Sequence, residues 1–247
     1  LMIHITSRCY GRLNELLPYG QRHCEHRLRL KQQLTVQALL YQLRLPHPEV
    51  DLVLCNGESV TLQHRLCDRD RFHIYPDAEG IDQPSLIRLR PPPYHVPRFV
   101  LDVHLAGLAR KMRWLGLDCW YQDGAPDPLI IEKALAEQRT ILTRDRGLLQ
   151  QPAVTHGYYV RTLSCEAQLQ EVLTRFSLHA WLNPFSRCIR CNGMIESVKR
   201  SDVKQKVKPQ IYQMFDRFFR CDSCRQIYWQ GSHYERMVES LKGWMLL

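Results

Sequence analysis

Residues 99–118 read FVLDVHLAGLARKMRWLGLD, and the central part of the chain is best understood from this segment. It begins with a short apolar run, 99–102, which predicts a strand ending at Asp102. Apolar residues then recur at helical spacing, at Leu105, Leu108, Ala109, Met112 and Leu115. A strand followed directly by a helix with one apolar face is typical of α/β proteins.

The residues that follow repeat this alternation. Further strands are predicted near 118–121, 140–143 and 154–160, and helices begin near Asp127 and after Ser164. Strands and helices that alternate along a chain form a parallel sheet with helices on its faces. We therefore predict an α/β domain with a parallel sheet.

The N-terminal residues predict a smaller α+β domain. The pattern indicates two strands, a helix that Thr35 can cap, and two further strands, which include 50–55 and 72–75. Asn56-Gly57 signals a tight turn after the first of these two.

Prolines separate this domain from the next. Five of them fall between positions 84 and 97, a density that excludes a helix and favours an extended linker. The expected segments are an α+β domain at 1–83, the linker at 84–97, the α/β domain at 98–180 and a C-terminal module at 181–247.

The C-terminal module carries two CxxC motifs. Cys188 and Cys191 form the first, and Cys221 and Cys224 form the second. Four thiolates in this arrangement suit one tetrahedral zinc ion. The 29 residues between the motifs exceed the usual ~15–20, so an inserted hairpin or loop is expected. Because all four ligand positions are filled, the zinc would be structural, and catalysis is expected elsewhere.

Positive charge is concentrated on the same module. The chain of 247 residues has a formal net charge of +9, of which +6 lies on residues 186–247. This distribution favours a polyanion such as RNA as a partner, with an ordinary solvated basic surface as the alternative. The candidate phosphate contacts here are Arg187, Arg190, Lys199, Arg200, Lys204, Lys206, Lys208, Arg217 and Arg220.

Composition also excludes some classes of protein. The chain has no uncharged apolar run of the ~18 residues that a membrane helix needs, and no signal-peptide pattern. Six further cysteines are scattered singly among apolar residues, which indicates buried free thiols in a reducing compartment. We expect a cytoplasmic protein without membrane contact.

Aspartates fall where the predicted strands end. Asp102 closes the first strand, Asp123 follows the second, Asp127 starts the next helix and Asp145 follows the third strand. The carboxyl ends of parallel strands meet at one edge, so these acids should lie close together. Clustered carboxylates favour magnesium or manganese, which can activate water and neutralise a scissile phosphate.

Structural roles remain open for most of these acids. Asp127 could cap its helix, Asp145 could shape the turn it begins, and Asp123-Gly124 resembles a turn. Asp102 is harder to explain structurally, because an acid on a buried strand costs free energy unless it is paired.

Basic residues line the same region, at Arg110, Lys111, Arg113, Arg144 and Arg146. Solvated helix faces are the common explanation for such residues. Beside an acidic metal site they would provide a positive wall for a phosphodiester. Together with Arg190, Lys199 and Arg220 of the C-terminal module, the arginines of this set are our candidate RNA contacts.

Residues 98–240 resemble the Mut7-C family of PIN-like ribonuclease domains. The resemblance rests on the run 99–118, on TRDRGLL at 143–149 and on the sequence around both CxxC motifs. It implies a PIN-like fold joined to a zinc ribbon, with metal-dependent RNA cleavage as the activity. Asp102, Asp127 and Asp145 match the acids of the family, and Asp123 or Glu132 would supply a fourth.

The first domain resembles the ubiquitin-like β-grasp domain that often precedes Mut7-C. The similarity lies in VLCNGE at 53–58 and DRFHIYP at 70–76, which are also similar to small sulfur-carrier proteins. A sulfur carrier needs a free terminal Gly-Gly, whereas this segment runs on into the linker. A docking module for a protein partner is therefore the expected role.

These observations leave three hypotheses for function. The first is a metal-dependent ribonuclease whose basic zinc ribbon holds RNA. The alternative is a non-catalytic RNA-binding or ribosome-associated protein. The third is a scaffold that recruits a protein through the β-grasp domain.

Overall fold

The computed structural model describes residues 2–31, 34–80, 86–232, 234–235 and 238–239. Contacts divide the chain into two compact units. The first contains Leu1–Val96 and Pro126–Val160, and the second contains Pro97–Ala125 and Arg161–Leu247. The boundaries expected from the sequence stay a prediction, and Pro84, where the linker was expected to start, lies outside the described residues.

The strands, in chain order, are β1 (Met2–Cys9), β2 (Glu25–Lys31), β3 (Leu52–Cys55), β4 (Glu58–Ser59), β5 (Arg71–Tyr75), β6 (Arg98–Leu101), β7 (Asp118–Trp120), β8 (Thr140–Thr143), β9 (Gly157–Tyr159), β10 (Ile195–Val198), β11 (Phe218–Cys221) and β12 (Ile227–Trp229). The α-helices are α1 (Val36–Gln42), α2 (Ala106–Trp114), α3 (Asp127–Ala136), α4 (Arg146–Leu149), α5 (Cys165–Arg175) and α6 (Pro209–Met214).

The N-terminal part of the first unit has a β-grasp arrangement. Its strands form one sheet in the order β2-β1-β5-β3-β4. β1 is parallel to β5, and the other neighbouring pairs are antiparallel. Helix α1 buries Val36, Leu39 and Leu40 in the same apolar cluster as Phe72 and Ile74. This confirms the expected ubiquitin-like fold.

Two local predictions for this part hold. The Thr35 side chain accepts a hydrogen bond from the Ala38 N–H at 3.4 Å and so caps α1. Asn56 and Gly57 both have positive φ, at 53° and 94°, as the tight turn between β3 and β4 requires. The strand expected at 50–55 begins only at Leu52, because the Val50 N–H closes a 3₁₀ turn on the His47 carbonyl.

The chain from β6 to α5 follows the predicted α/β pattern, and within each unit its strands pair in parallel. In the second unit β6 pairs with β7, with Phe99 opposite Cys119, and α2 packs near α5 where Gly107 meets Cys165. In the first unit β8 pairs with β9, with Ile141 opposite Gly157. Helix α4, which the sequence analysis did not predict, is too short to show a helical period.

The C-terminal module is a three-stranded antiparallel sheet in the order β10-β11-β12. The residues between the two CxxC motifs form β10, a 3₁₀ turn at Arg200–Val203, helix α6 and most of β11. The inserted hairpin or loop expected there is thus an antiparallel β10–β11 pair with a long connection that carries the two helical segments. Val203 packs with Phe218 and Ile227 in a small core, which explains the length of the insertion.

Within the part of the chain that the structure describes, no helix is both long enough and apolar enough to cross a lipid bilayer.

Candidate functional site

Asp102 lies directly after β6, in the second unit, and is only 4% exposed. Its Oδ1 accepts a hydrogen bond from the Val103 N–H at 2.6 Å, at the start of the 3₁₀ turn Val103–Leu105. Burying a carboxylate is costly unless hydrogen bonds or a cation compensate it. The position therefore suits either a helix cap or a metal ligand.

The side chain of Tyr121 interacts with both Asp123 and Asp102. The Tyr121 hydroxyl is 3.3 Å from the Val103 carbonyl oxygen and 3.3 Å from Asp123 Oδ1, and donates toward both. Burial raises the pKa of Tyr121, and the charges of Asp123 and Asp102 raise it further, whereas Arg110 lowers it. The second unit thus brings two of the four predicted acids to one phenol, a residue that the sequence analysis did not select.

Asp123 is exposed and sits in a turn. The Ala125 N–H donates to the Gln122 carbonyl at 3.3 Å, and Gly124 has a φ of 66°. This geometry agrees with the alternative interpretation of Asp123-Gly124 as a turn.

Asp127 is half-buried and belongs to the first unit, where it is the first residue of α3. The N-cap position is taken by Pro126, whose carbonyl accepts from Leu129 and Ile130. Asp127 is therefore not the cap that was considered for it. A carboxylate in the first turn still lies at the positive end of the helix dipole.

Asp145 lies in the first unit, after β8, and it is exposed. Its Oδ1 accepts from the Gly147 N–H at 2.7 Å and caps α4, and its own N–H donates to Thr143 Oγ1 at 2.8 Å. The structural role considered for Asp145 is therefore present. This cap uses one carboxylate oxygen, so the other could still bind a cation.

The predicted arginines of this region differ in accessibility. Arg110 is exposed on α2. Arg144 is half-buried and donates to the Val160 carbonyl at 3.1 Å. Arg146 donates to the Leu16 carbonyl at 2.6 Å and its guanidinium lies over the Tyr159 ring. Of these three, Arg110 offers the most accessible charge to a phosphate.

Arg113 differs from its predicted role. It is 3% exposed, and its guanidinium donates to four backbone carbonyls: Cys119 at 2.8 Å, Arg190 at 3.1 Å, Tyr121 at 3.3 Å and Ile189 at 3.4 Å. Burial lowers the pKa of this arginine. Its donors serve the interior, so Arg113 connects α2 and β7 to the first CxxC motif and does not face RNA.

The four cysteines of the CxxC motifs converge. Their sulfur atoms all lie within 4.8 Å of one another, with Cys188 3.6 Å from Cys224 and Cys191 3.4 Å from Cys221. A tetrahedral site with Zn–S bonds of ~2.3 Å places its sulfurs about 3.8 Å apart, so the cluster could hold a zinc ion. Gly193 leaves the room it needs, since a Cβ there would approach Cys221 Sγ to 2.8 Å.

Burial and hydrogen bonds shift the pKa values of the thiols in this cluster. Burial alone would raise the pKa of Cys191, but bonds from Gly193 and the neighbouring thiols lower it to about 7. Burial raises the pKa of Cys221 to about 12. The Tyr228 hydroxyl lies 3.0 Å from Cys188 Sγ, and burial followed by this contact raises the pKa of Tyr228.

The basic residues of the C-terminal module form two groups. Arg187 is paired with Asp118 at 3.2 Å and Arg200 with Asp216 at 3.3 Å, while Arg220 is half-buried on β11. The exposed members are Arg190, Lys199, Lys204, Lys206, Lys208 and Arg217. A continuous polyanion would meet this second group first.

Comparison with known proteins identifies the chain. A family model described as the Mut7-C RNAse domain matches residues 97–241, more than half of the sequence. The chain belongs to the Mut7-C RNAse domain family. A second model, Mut7-C ubiquitin, matches residues 2–82. Both matches confirm the resemblances seen in the sequence, and the first indicates a ribonuclease-like role with RNA as the substrate.

A solved structure resembles part of this Mut7-C protein. The crystal structure of H. volcanii small archaeal modifier protein 1 is 20% identical, with a TM-score of 0.24, over 30% of this chain and 97% of that one. No curated protein matches the chain.

One structural feature beside the four-cysteine cluster was not predicted from the sequence. Asn192, between the first CxxC motif and Gly193, has a φ of 73° and bonds to both Cys119 and Asp118. An asparagine after a CxxC could have suggested a left-handed residue, because asparagine tolerates positive φ. Its partners on β7 are distant in sequence, so no local pattern could reveal them.

Proposed function

We propose that this Mut7-C protein is a metal-dependent ribonuclease, in which Asp102, Asp127 and Asp145 hold magnesium or manganese. The observation that carries the proposal is the buried Asp102 at the carboxyl end of β6, inside a domain of a ribonuclease family. Oxygen ligands from carboxylates are the set these cations prefer. When bound, such an ion would lower the pKa of water and neutralise charge on the phosphate.

The residues around Asp102 have roles of their own in this proposal. Asp123 would add a fourth carboxylate, since it shares the Tyr121 hydroxyl contact near Asp102. Arg110, exposed on α2 and close enough to lower the pKa of Tyr121, would attract the phosphodiester. These groups bind and orient the substrate at the acidic centre.

The C-terminal module would hold the RNA strand. Its exposed cations, among them Arg190 and Lys199, can each neutralise a phosphate and release counterions, with sequence-independent affinity that falls as salt rises. Zinc would act only as a scaffold, because Cys188, Cys191, Cys221 and Cys224 fill its four positions.

Cleavage assays test this function. Purified protein is incubated with labelled single-stranded and structured RNAs in manganese, beside a chelator control and the variants Asp102→Asn and Asp145→Asn. Asp68→Asn, an exposed acid on the β-grasp domain, is the matched control. We expect cleavage by the wild type and Asp68→Asn, and loss of cleavage in the chelator and in both other variants.

A non-catalytic RNA-binding protein is the second candidate, favoured by the use of Asp145 as a cap for α4. It predicts tight, salt-sensitive RNA binding without metal-dependent cleavage of any RNA. In either case the ubiquitin-like domain would dock a protein partner, which a pull-down from nuclease-treated lysate would detect.

A further inference from the structure

A cluster of three potential metal ligands lies in the β-grasp domain, apart from the CxxC motifs. Cys55 ends β3, Asp70 immediately precedes β5, and His64 lies in the segment between β4 and β5. One ligand atom from each residue, a thiol sulfur, an imidazole nitrogen and a carboxylate oxygen, lies within 4.8 Å of the other two. Cys55 and Asp70 are buried and His64 is half-buried.

The backbone holds these residues in place. The Asn56 N–H donates to the Arg71 carbonyl at 2.9 Å, which continues the pairing of β3 with β5 and sets Cys55 beside Asp70. The carbonyl of His64 accepts from the Val36 N–H at 3.0 Å, at the start of α1. Paired strands and a helix terminus hold the positions of ligand side chains more precisely than a free loop does.

The carboxylate of Asp70 is oriented by two further hydrogen bonds. Asn56 Nδ2 donates to its Oδ1 at 2.9 Å, and the Cys67 N–H donates to its Oδ2 at 2.7 Å. A carboxylate has about four lone-pair sites, so these bonds leave capacity for a cation. Groups that orient a ligand in this way are typical of metal sites.

We propose that Cys55, His64 and Asp70 form a further metal site, for zinc or a divalent ion of similar softness. One thiolate, one imidazole and one carboxylate match zinc better than magnesium or calcium, which take oxygen ligands. With bond lengths of ~2.0–2.3 Å, the ligand atoms of tetrahedral zinc lie roughly 3.3–3.8 Å apart, so the distances between the ligand atoms would shrink by about 1.5 Å at most. Three protein ligands leave the fourth position open to water.

A nucleophilic cysteine is the competing explanation for such a cluster. Burial, followed by the charge and hydrogen bond of Asp70, raises the pKa of Cys55 to about 12. Catalytic cysteines sit in surroundings that lower the pKa, so Cys55 does not suit the role of a nucleophile. A metal ligand must lose its proton too, and there the bound cation itself would displace it. The proposal does not depend on the ribonuclease activity.

Metal stoichiometry tests the proposal with the full chain. The protein is loaded with zinc, freed of excess metal and analysed for zinc per chain by mass spectrometry. We expect two zinc ions in the wild type, one in His64→Gln and Cys55→Ser, and one in Cys188→Ser. Cys9→Ser, a buried thiol of the same sheet, and His4→Gln, an exposed histidine on β1, are matched controls that should keep two.

The half-buried His64 keeps the test decisive if Cys55→Ser fails to fold. Circular dichroism verifies folding of His64→Gln before its metal is counted. One zinc per wild-type chain, or two in folded His64→Gln, would overturn the proposal. Cobalt loading adds a spectroscopic check, since the His64→Gln spectrum should retain only the thiolate bands of a four-cysteine site.

Discussion

The main-chain N–H of Cys119 donates a hydrogen bond to the side-chain oxygen of Asn192 across 3.0 Å. This bond ties strand β7 directly to the residue that follows the first CxxC motif. Asn192 Nδ2 also donates to Asp118 at 2.8 Å, and Arg113 reaches the Arg190 carbonyl from α2. Within the second unit, hydrogen bonds therefore join the C-terminal module directly to β7 and α2.

Arg113 should be essential to stability. Lysine at this position keeps the charge but has three donors on one nitrogen in place of five on three nitrogens. It therefore cannot serve all four carbonyls, those of Cys119, Tyr121, Ile189 and Arg190. Each buried acceptor left unsatisfied costs ~1–3 kcal/mol. We expect Arg113→Lys to lower the free energy of unfolding in urea by about that amount or more. Arg110→Lys, exposed on the same helix, should change it by no more than about 0.5 kcal/mol.

Loss of the four-cysteine site should affect more than the module that contains it. Cys191→Ser removes one ligand of the cluster, and the network around Asn192 would transmit the loss to α2 and β7. Hydrogen exchange should accelerate at residues 106–120 as well as in β10 to β12, with β1 as an internal control. Acceleration confined to β10, β11 and β12 would show that the module folds independently.

Local patterns predicted local structure well. The apolar stripe that includes Leu108 and Met112 and the caps Thr35 and Ser164 depend only on neighbours in sequence, and the structure contains them all. The burial of Arg113 depends on hydrogen bonds to carbonyls up to 77 residues away, and no pattern along α2 reveals these partners. An arginine on a helix therefore looked like a phosphate ligand when it is part of the interior.

The same distinction applies to the candidate site. The alternation of apolar strand and helix patterns marks the ends of these elements in the sequence. It therefore predicted that the acids lie at strand and helix ends. Asp145 does cap a helix, yet α4 itself was not predicted, since its four residues carry no detectable period. Cys24 and Cys67 are exposed although buried thiols were expected, because scattered apolar neighbours do not determine burial.

Gly116 should tolerate no side chain. Its φ is 85°, and a Cβ would lie 2.1 Å from the Asn183 carbonyl oxygen, which belongs to the backbone and cannot move alone. Gly124 also has a positive φ, of 66°, but open space around it. We expect Gly124→Ala to cost about 1–2 kcal/mol for its φ alone. Gly116→Ala should cost about 1–3 kcal/mol more, and equal thermal shifts in the two variants would contradict this.

Exposed lysines of the C-terminal module should carry part of the RNA affinity. The triple variant Lys204→Gln, Lys206→Gln, Lys208→Gln removes three exposed charges. Each lysine that neutralises a phosphate makes the slope of log association constant against log salt concentration more negative by about 0.7–0.9. Replacing such a lysine should make the slope less negative by the same amount. A matched triple on β2, Arg27→Gln, Arg29→Gln and Lys31→Gln, removes the same charge from the β-grasp domain. Filter binding at several salt concentrations measures both slopes. Equal slopes for the two triple variants would show that only net charge matters and would contradict the prediction.

Two substitutions of Asp145 distinguish its structural role as a helix cap from a catalytic role. Asparagine is as good an N-cap as aspartate, so Asp145→Asn should keep the bond from the Gly147 N–H and change the free energy of unfolding little. Asp145→Ala loses the cap and should cost ~1 kcal/mol. If the carboxylate holds a catalytic cation, both variants should lose RNA cleavage by at least about 100-fold, since such an ion is worth several kcal/mol in the transition state. Cleavage that persists in Asp145→Asn would restrict Asp145 to its cap, and the acids that remain for the metal would be Asp102, Asp123 and Asp127.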